Sequence, residues 1–438
     1  MIAYTLDYNV LCLYKQGYTM IHYKQMYTTI RCITLLIILC FSTIALPSCS
    51  DSANSYVPSW TIMMYMDGDN NLEQYALDDF NEMELVDANG HTINVIVLLD
   101  RCDGETIADG DWKGTRLYKI LHDTSSSKIN SERLADSQYL KITNTGDSDE
   151  LNMGDPNTLS NFISFSKENY PADYYSLILW DHGSGWRSTN SATLTVSEPQ
   201  TFKAVCVDAT SNDDMLLMSE VKQALFGKGL TLIGFDACLM SMVEVAYQLK
   251  DCAHYMVASE EVEPANGWLY ANFLNYFIAS GRSPIDLGQS IIDAYALYDC
   301  YPMSLVDLSS IEAMAGAIDA LSSALKYNLS AIKNTISTAR DNTLAFKSSE
   351  TQPYAYIDLY DFLLNISSIN EVSYEVNDAM NAVKRAVLYH YRGDYTHSNG
   401  LSIYFPQSDT DSEYSYYNTS TIDFAQTLWD DFLTEYFQ

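Results

Sequence analysis

The sequence predicts an α/β fold built on a largely parallel central sheet flanked by helices, with a mixed α+β region at its C-terminal end. Three observations carry that prediction. Short apolar runs are continuous rather than alternating, as in strands covered on both faces. Segments of helical periodicity separate them, which is the pattern of a parallel sheet. After about residue 285 the runs give way to longer helical patterns.

In chain order, Trp60–Met66 is the first expected strand. Asn70 and Asn71 then offer caps for a helix over Leu72–Leu85. Ile93–Leu99 is the second strand, and the Gly- and Asp-rich stretch Asp103–Gly114 is a loop. A helix over Asn157–Lys167 leads to the strand Tyr175–Trp180. Arg187–Thr201 is rich in Ser and Thr, has no periodicity and reads as a second loop. A short strand at Ala204–Val207 and a helix over Asp213–Phe226 precede the strand Leu230–Phe235. A helix over Leu239–Leu249 and the strand Tyr255–Ala258 follow. Beyond them, helices are expected over Ile285–Tyr298, Ser309–Tyr327 and Asn370–Leu388, with a late strand in Gly400–Pro406.

Composition bounds the partners. The chain has 438 residues, 47% apolar and 18% charged, which is globular rather than disordered. Its net charge is −33, to which residues 1–49 contribute only Lys15, Lys24, Arg31 and Asp7, so the acidity belongs to the remainder. Such a surface repels phosphate backbones and argues against a nucleic-acid partner. Arg31 precedes the apolar run Ile33–Ala45, which is too short to span a bilayer and has the length of a signal-peptide core. Leu46-Pro47-Ser48-Cys49 resembles a bacterial lipobox, with Pro47 where a small residue is usual; Cys49 would then carry the lipid. The expected division is residues 1–49 as signal peptide, 50–59 as polar tether, 60–284 as the catalytic-type domain and 285–438 as a C-terminal region packed on it. The localisation this implies is an exported bacterial lipoprotein on the cell envelope or outer membrane.

There are nine cysteines, five of them after residue 49, so an exported chain keeps at least one thiol unpaired internally. No Cys-x-x-Cys is present, so the spacing matches no zinc site. Two strand ends stand out. Ser176–Trp180 runs into Asp181-His182-Gly183, and Leu230–Phe235 runs into Asp236-Ala237-Cys238. Sites in open α/β sheets lie beyond the carboxyl ends of strands. If the two strands are near neighbours, at about 4.8 Å spacing, an imidazole at 182 reaches the thiol at 238 and can act as its base. A helix beginning near Leu239 would lower the Cys238 pKa, and the backbone N–H groups of Cys238 and Gly183 would face a developing oxyanion. Asp236 reads either as the floor of a pocket for a basic side chain or as a cap for local N–H groups.

These segments resemble the clostripain family of cysteine peptidases, whose fold is similar to that of caspases and gingipains. Asp181-His182-Gly183 resembles the family's His-Gly element and Asp236-Ala237-Cys238 its Asp-Ala-Cys element. Met64–Leu72, Ala258–Trp268 and Gly400–Pro406 resemble further family stretches. The resemblance implies an endopeptidase acting on peptides or proteins after Arg or Lys, with His182 and Cys238 as its dyad and Asp236 in an acidic pocket. It also implies a second pocket acid near Pro264–Trp268, where Asn266 stands instead. Glu260, Glu261 and Glu263 read either as acids that compensate for Asn266 in that pocket or, in the first place, as a solvated acidic turn. Self-processing of family members directs attention to Arg187 and Lys203, which bracket the loop between His182 and Cys238. The chemistry requires no cofactor. Calcium, needed by some relatives, has no site located by the sequence: Asp67–Leu72 begins like an EF-hand loop but places Leu72 where that loop needs Gly, and reads as a turn and cap. The alternative is a catalytically inactive caspase-like surface lipoprotein that only binds.

Overall fold

The strand Trp60–Gly68 (β1) is buried along its whole length, which explains its continuous apolar sequence. Its side chains alternate between two cores. Ile62, Met64 and Met66 pack with Leu77 and Phe80 of the helix Glu73–Glu84 (α1); Met63 and Tyr65 pack on the opposite face. Burying each such side chain contributes roughly 1.5–3 kcal/mol, so a strand with both faces covered must be apolar throughout. The structure is a computed structural model describing residues 56–125, 127–146, 149–186, 205–297, 301–346, 355–411, 414–417 and 422–438. The expected signal peptide, Cys49, most of the tether, the loop with Arg187 and Lys203, and Cys300 lie outside the described residues.

Eight more strands join β1 in one sheet. They are β2 (Ile93–Arg101), β3 (Arg116–Lys119), β4 (Glu132–Leu134), β5 (Tyr174–Trp180), then β8 (Leu230–Asp236), β9 (Ala253–Ser259), β10 (Met303–Asp307) and β13 (Val387–Tyr391). Between β5 and β8 a separate hairpin forms from β6 (Val205–Asp208) and β7 (Asp214–Leu216). The sheet order is β13-β10-β9-β8-β5-β1-β2-β3-β4. The five central strands are parallel, as expected, and the two at each edge are joined on by antiparallel pairing. From β1 the chain goes to β2 on one side and later to β5 on the other. The point where strand order reverses therefore lies between β1 and β5.

Helices cover both faces. On one face lie α1 and the later helices Tyr270–Ala279 and Pro284–Tyr295; on the other lie Pro156–Asn169, Met218–Leu225, Val243–Leu249 and the 32-residue Ile311–Asn342. Ser283 caps Pro284–Tyr295 through a capping box with Asp286, with Pro284 at its first position. Residues beyond 285 contribute β10 and β13 to the main sheet and form a second, three-stranded sheet from β11 (Ala345–Phe346), β12 (Tyr356–Asp358) and β14 (Ser402–Tyr404). The last of these falls within the expected late strand.

Two helix starts differ from expectation. The helix expected from Asp213 begins only at Met218, because Asn212 and Asp213 adopt left-handed backbone and turn the chain so that Asp214–Leu216 pairs with Val205–Asp208. The helix expected from Leu239 begins only at Val243. Leu239 has φ of 64°, its N–H donates to Glu261 O at 3.0 Å, and Ser241 N donates to Ser259 O at 2.8 Å. Residues 239 and 241 thus pair with the end of β9 and the residues just after it instead of coiling. Among the described residues, no helix is long and apolar enough to cross a membrane.

Candidate active site

The register of β5 and β8 decides the site. Trp180 pairs with Asp236, so His182 and Cys238 each stand two residues beyond a matched pair of parallel strand ends. Gly183 reports how closely the two segments approach. A Cβ added there would lie 2.6 Å from Cys238 O, 2.9 Å from Cys238 N and 2.9 Å from the Ala237 Cβ. Only a residue without a side chain lets the His-Gly turn lie against the cysteine backbone. Both His182 and Cys238 are half-buried.

The imidazole is held from β1's side of the switch point. His182 Nε2 lies 3.0 Å from Asn71 Oδ1, in the turn after β1. An amide oxygen only accepts, so Nε2 carries the proton in this contact and Nδ1 keeps the lone pair. Asn71 came into the sequence reading only as a helix cap; its role beside His182 arises from the β1–β5 pairing and has no local signal. The neighbouring Asn70 donates from Nδ2 to Asp181 Oδ1 at 2.8 Å, and its own Oδ1 accepts from Leu72 N at 2.9 Å. Asp181 also accepts from Val207 N at 2.5 Å, tying the β6 hairpin to the residue before His182. Burial pushes the Asp181 carboxyl up to about 8.

The thiol faces the segment after β9. Glu263 N donates to Cys238 Sγ at 3.2 Å, and the thiol contacts Glu263 O at 3.8 Å. The helix end expected to activate Cys238 is absent at that position, and the expected lowering of its pKa is overturned. Burial, followed by the charges of Glu263 and Glu261, pushes the Cys238 thiol up to about 12, against which the Glu263 N–H bond works only partly. Burial also pushes His182 down to about 4. Desolvation disfavours the charged form of each, so the thiol and the imidazole are both neutral at rest.

Around Asp236 sits a cluster of largely buried carboxylates. Asp236 Oδ2 accepts from Trp268 N at 3.1 Å and from Tyr270 OH at 2.7 Å. Asp79, on α1, accepts at Oδ2 from Trp180 Nε1 at 2.7 Å. A Cβ at Gly267 would stand 2.8 Å from Asp236 Oδ2 and 3.0 Å from Asp79 Oδ2, so both carboxylates converge on one spot. Glu263 Oε2 accepts from Trp268 Nε1 at 2.9 Å, and the Glu263 carboxyl lies close enough to Asp236 to feel its charge. Burial pushes Asp236 up to about 6, and burial with the charge of Asp236 raises Asp79 and Glu263. Asn266 is exposed in the turn above. The expected solvated turn is not formed: Glu260 and Glu261 are buried, with Glu260 accepting from Gly400 N at 2.9 Å, and Glu263 faces Asp236. Asp79 was invisible to the sequence reading because it lies 157 residues before Asp236 in an ordinary amphipathic helix.

Elsewhere, Asp69, Asp100, Glu150 and Asp208 each bring one carboxylate oxygen within 4.8 Å of the others, which makes them the candidate metal ligands among the described residues. The described cysteines Cys102, Cys206, Cys238 and Cys252 are all free thiols.

Fold and site together describe a caspase-like α/β protein with a thiol and an imidazole at adjoining strand ends. Residues 64–436 match the Clostripain family. The chain is 31% identical over 422 residues to clostripain of Hathewaya histolytica, covering 82% of this chain and 77% of that protein. It therefore belongs to the clostripain family of cysteine peptidases and is a hydrolase. The same fold is found in a secreted C11 cysteine protease from Bacteroides thetaiotaomicron, solved with an irreversible peptide inhibitor. The two share 22% identity with a TM-score of 0.62, over 85% of this chain and 99% of that one. An inactive zymogen C11 protease from Parabacteroides distasonis has 19% identity and a TM-score of 0.58, over 87% of this chain and 99% of that one. Membership in a peptidase family weighs against the reading of the chain as a binding protein alone.

Proposed function

We propose that this chain is an exported, membrane-tethered cysteine endopeptidase that cleaves after Arg or Lys, with Cys238 as nucleophile and His182 as base. The observation that carries this reading is the packing of Gly183 on the Cys238 backbone, at strand ends held in register by Trp180 and Asp236. The lipobox-like Leu46–Cys49 and the secreted relative from Bacteroides thetaiotaomicron support export. Cys49 is the proposed lipid attachment point, and the substrate is a peptide or protein with a basic residue before the cleaved bond.

The chemistry follows from the resting state. With both groups neutral, the thiol proton passes to His182 Nδ1 as sulfur attacks the carbonyl carbon, and no stable ion pair precedes attack. The N–H groups of Cys238 and Gly183 receive the oxyanion. The imidazolium returns the proton to the leaving amine as the C–N bond breaks, leaving a thioester. His182 then deprotonates a water that attacks the thioester; the carboxylic acid departs and the proton returns to sulfur. The basic side chain enters the pocket of Asp236, Asp79 and Glu263, where a guanidinium or ammonium supplies the positive charge these crowded carboxylates lack. That three-carboxylate pocket offsets the neutral Asn266.

A fluorogenic peptide library scanned at the position before the cleaved bond, with wild type and Cys238→Ala, tests the reading. Cleavage after Arg or Lys that disappears in the variant is the expected result. Hydrolysis retained by Cys238→Ala, or no preference for basic residues, would refute it.

A further inference from the structure

We propose, resting on Cys238 as nucleophile and Gly183 as an oxyanion donor, that Tyr356 of the C-terminal sheet is a positioning residue for the peptidase site. Its hydroxyl fixes the Ser184 carbonyl and so aims the Gly183 N–H at the oxyanion.

The turn after β5 needs a hold from outside. His182-Gly183-Ser184-Gly185 contains two residues without a side chain. Close approach demands both. A Cβ at Gly183 would stand 2.6 Å from Cys238 O; one at Gly185, where φ is 74°, would stand 2.5 Å from Met242 Sδ and 3.1 Å from Leu239 O. Glycines let the turn lie on the cysteine segment, but they also leave its backbone the most freedom to lose. An oxyanion donor works when it is aimed before charge develops. The direction of the Gly183 N–H is therefore set by what grips the turn.

Tyr356 supplies the grip. Its hydroxyl donates to Ser184 O at 3.0 Å, between the two glycines and across 172 positions of chain. Tyr356 is fully buried and Ser184 is 4% exposed, so water competes little for that carbonyl. The phenol is itself held. Tyr356 pairs with Phe346 of β11 on one side and with Tyr404 of β14 on the other. Its ring meets that of Tyr404 edge-on, with centroids 6.3 Å apart, and its Cε2 would lie 3.4 Å from a Cβ at Gly185. Two torsions place a tyrosine ring, so packing of this kind fixes its oxygen at small entropic cost.

The same sheet holds the cysteine side. Ser402 N, on β14, donates to Ser241 O at 3.0 Å, and Ser241 Oγ donates to Gly400 O at 2.8 Å. Both arms of the site are thus tied to one sheet: the turn with Gly183 through Tyr356, and the segment after Cys238 through β14. The carboxylates around Asp236 are not. Trp268 and Tyr270, which donate to Asp236, pack in the core on the other face of the main sheet from Tyr356. The hydroxyl should therefore act on the reacting carbonyl and leave binding of the basic side chain alone.

Tyr356→Phe keeps the ring and removes the hydroxyl. Tyr404→Phe is the matched control: it keeps its ring contacts and loses a buried hydroxyl that donates to Asp411 Oδ1 at 3.0 Å, leaving Ser184 O untouched. The full chain and both variants are assayed on a fluorogenic Arg peptide, alkylated with iodoacetamide while Cys238 is followed by mass spectrometry, and unfolded by heat. Removing an oxyanion donor outright costs about 10²–10³ in kcat, and a donor left in place but unaimed should cost about tenfold or more. In Tyr356→Phe, kcat and kcat/KM should fall together with KM within about twofold of wild type, since the interaction matters only in the transition state. Alkylation joins carbon to sulfur as iodide leaves and develops no oxyanion, so its rate should stay within about twofold. Tyr404→Phe should lower the unfolding midpoint as much as Tyr356→Phe does and keep the wild-type kcat. An unchanged kcat in Tyr356→Phe, or an equal fall in Tyr404→Phe, would overturn the role of the hydroxyl. So would an alkylation rate that falls as far as kcat, which would put the effect on the thiol and imidazole. A wild-type chain that alkylates at Cys238 yet cleaves no peptide would fail earlier, and would take the peptidase reading down together with this role.

Discussion

Replacing Asp79 by Asn isolates the electrostatics of the pocket. The amide keeps an oxygen to accept from Trp180 Nε1, now at 2.7 Å, and it removes one charge 3.0 Å from the point where Asp236 Oδ2 also converges. A hydrogen bond to a charged group contributes about 1.5–3 kcal/mol. Since about 1.4 kcal/mol is a factor of ten, kcat/KM for Arg and Lys peptides should fall roughly 10- to 150-fold. A matched peptide with norleucine before the cleaved bond should change by less than about threefold, because it never placed a charge there. The variant should also titrate differently. Burial and the charge of Asp236 hold the Asp79 carboxyl raised, so its own protonation step disappears from the pH profile on basic peptides when an amide replaces it. Steady-state kinetics on the two peptides between pH 4 and 8 reads all of this. Equal losses on both peptides, or no loss on the basic one, would show that Asp79 takes no part in selecting substrate.

Three other outcomes follow from the same geometry. Gly183→Ala forces a Cβ to within 2.6 Å of Cys238 O, so the strand ends must separate; a misplacement of about 1 Å costs roughly a hundredfold, and kcat should drop by at least that while the unfolding midpoint also falls. In wild type, His182 is held neutral down to about 4 while Asp236 takes a proton near 6. As pH falls, kcat/KM on basic peptides should therefore decline first, through about 6, and on norleucine peptides only nearer 4; coincident acid limbs near 6.5 would contradict the burial of the imidazole. Phe405 is fully buried against Phe362, Trp429, Phe432 and Tyr436, so Phe405→Ala should destabilise by about 3–5 kcal/mol in urea unfolding, and an effect below 1 kcal/mol would mean the C-terminal segment is not packed there.

The parallel core was legible because strands covered on both faces must be apolar without interruption; Trp60–Met66, Tyr175–Trp180 and Leu230–Phe235 all lie within observed strands. His182 and Cys238 were legible for a related reason, since each ends such a run just where polar residues become tolerable. What could not be read depends on tertiary neighbours. Asp79 and Asn71 reach the site only because β1 lies beside β5. The fate of Glu260 and Glu261 was missed because charge suggests solvent, whereas Glu260 accepts from the distant Gly400 N. The activation expected for Cys238 rested on a helix that starts four residues later than periodicity implied, displaced by the pairing of residues 239 and 241 with 261 and 259. The apolar pattern of Leu239–Leu249 continues through that pairing and does not reveal it.

Hydrolysis by this site requires Cys238 to be the nucleophile that His182 serves. A peptidyl electrophile with Arg or Lys beside its reactive group, added to the full chain and located by mass spectrometry, tests that directly. The adduct should form on Cys238, with its formation slowed at least a hundredfold in His182→Ala and abolished in Cys238→Ala. An adduct on Cys102, Cys206 or Cys252, or labelling of Cys238 at an unchanged rate without His182, would contradict it.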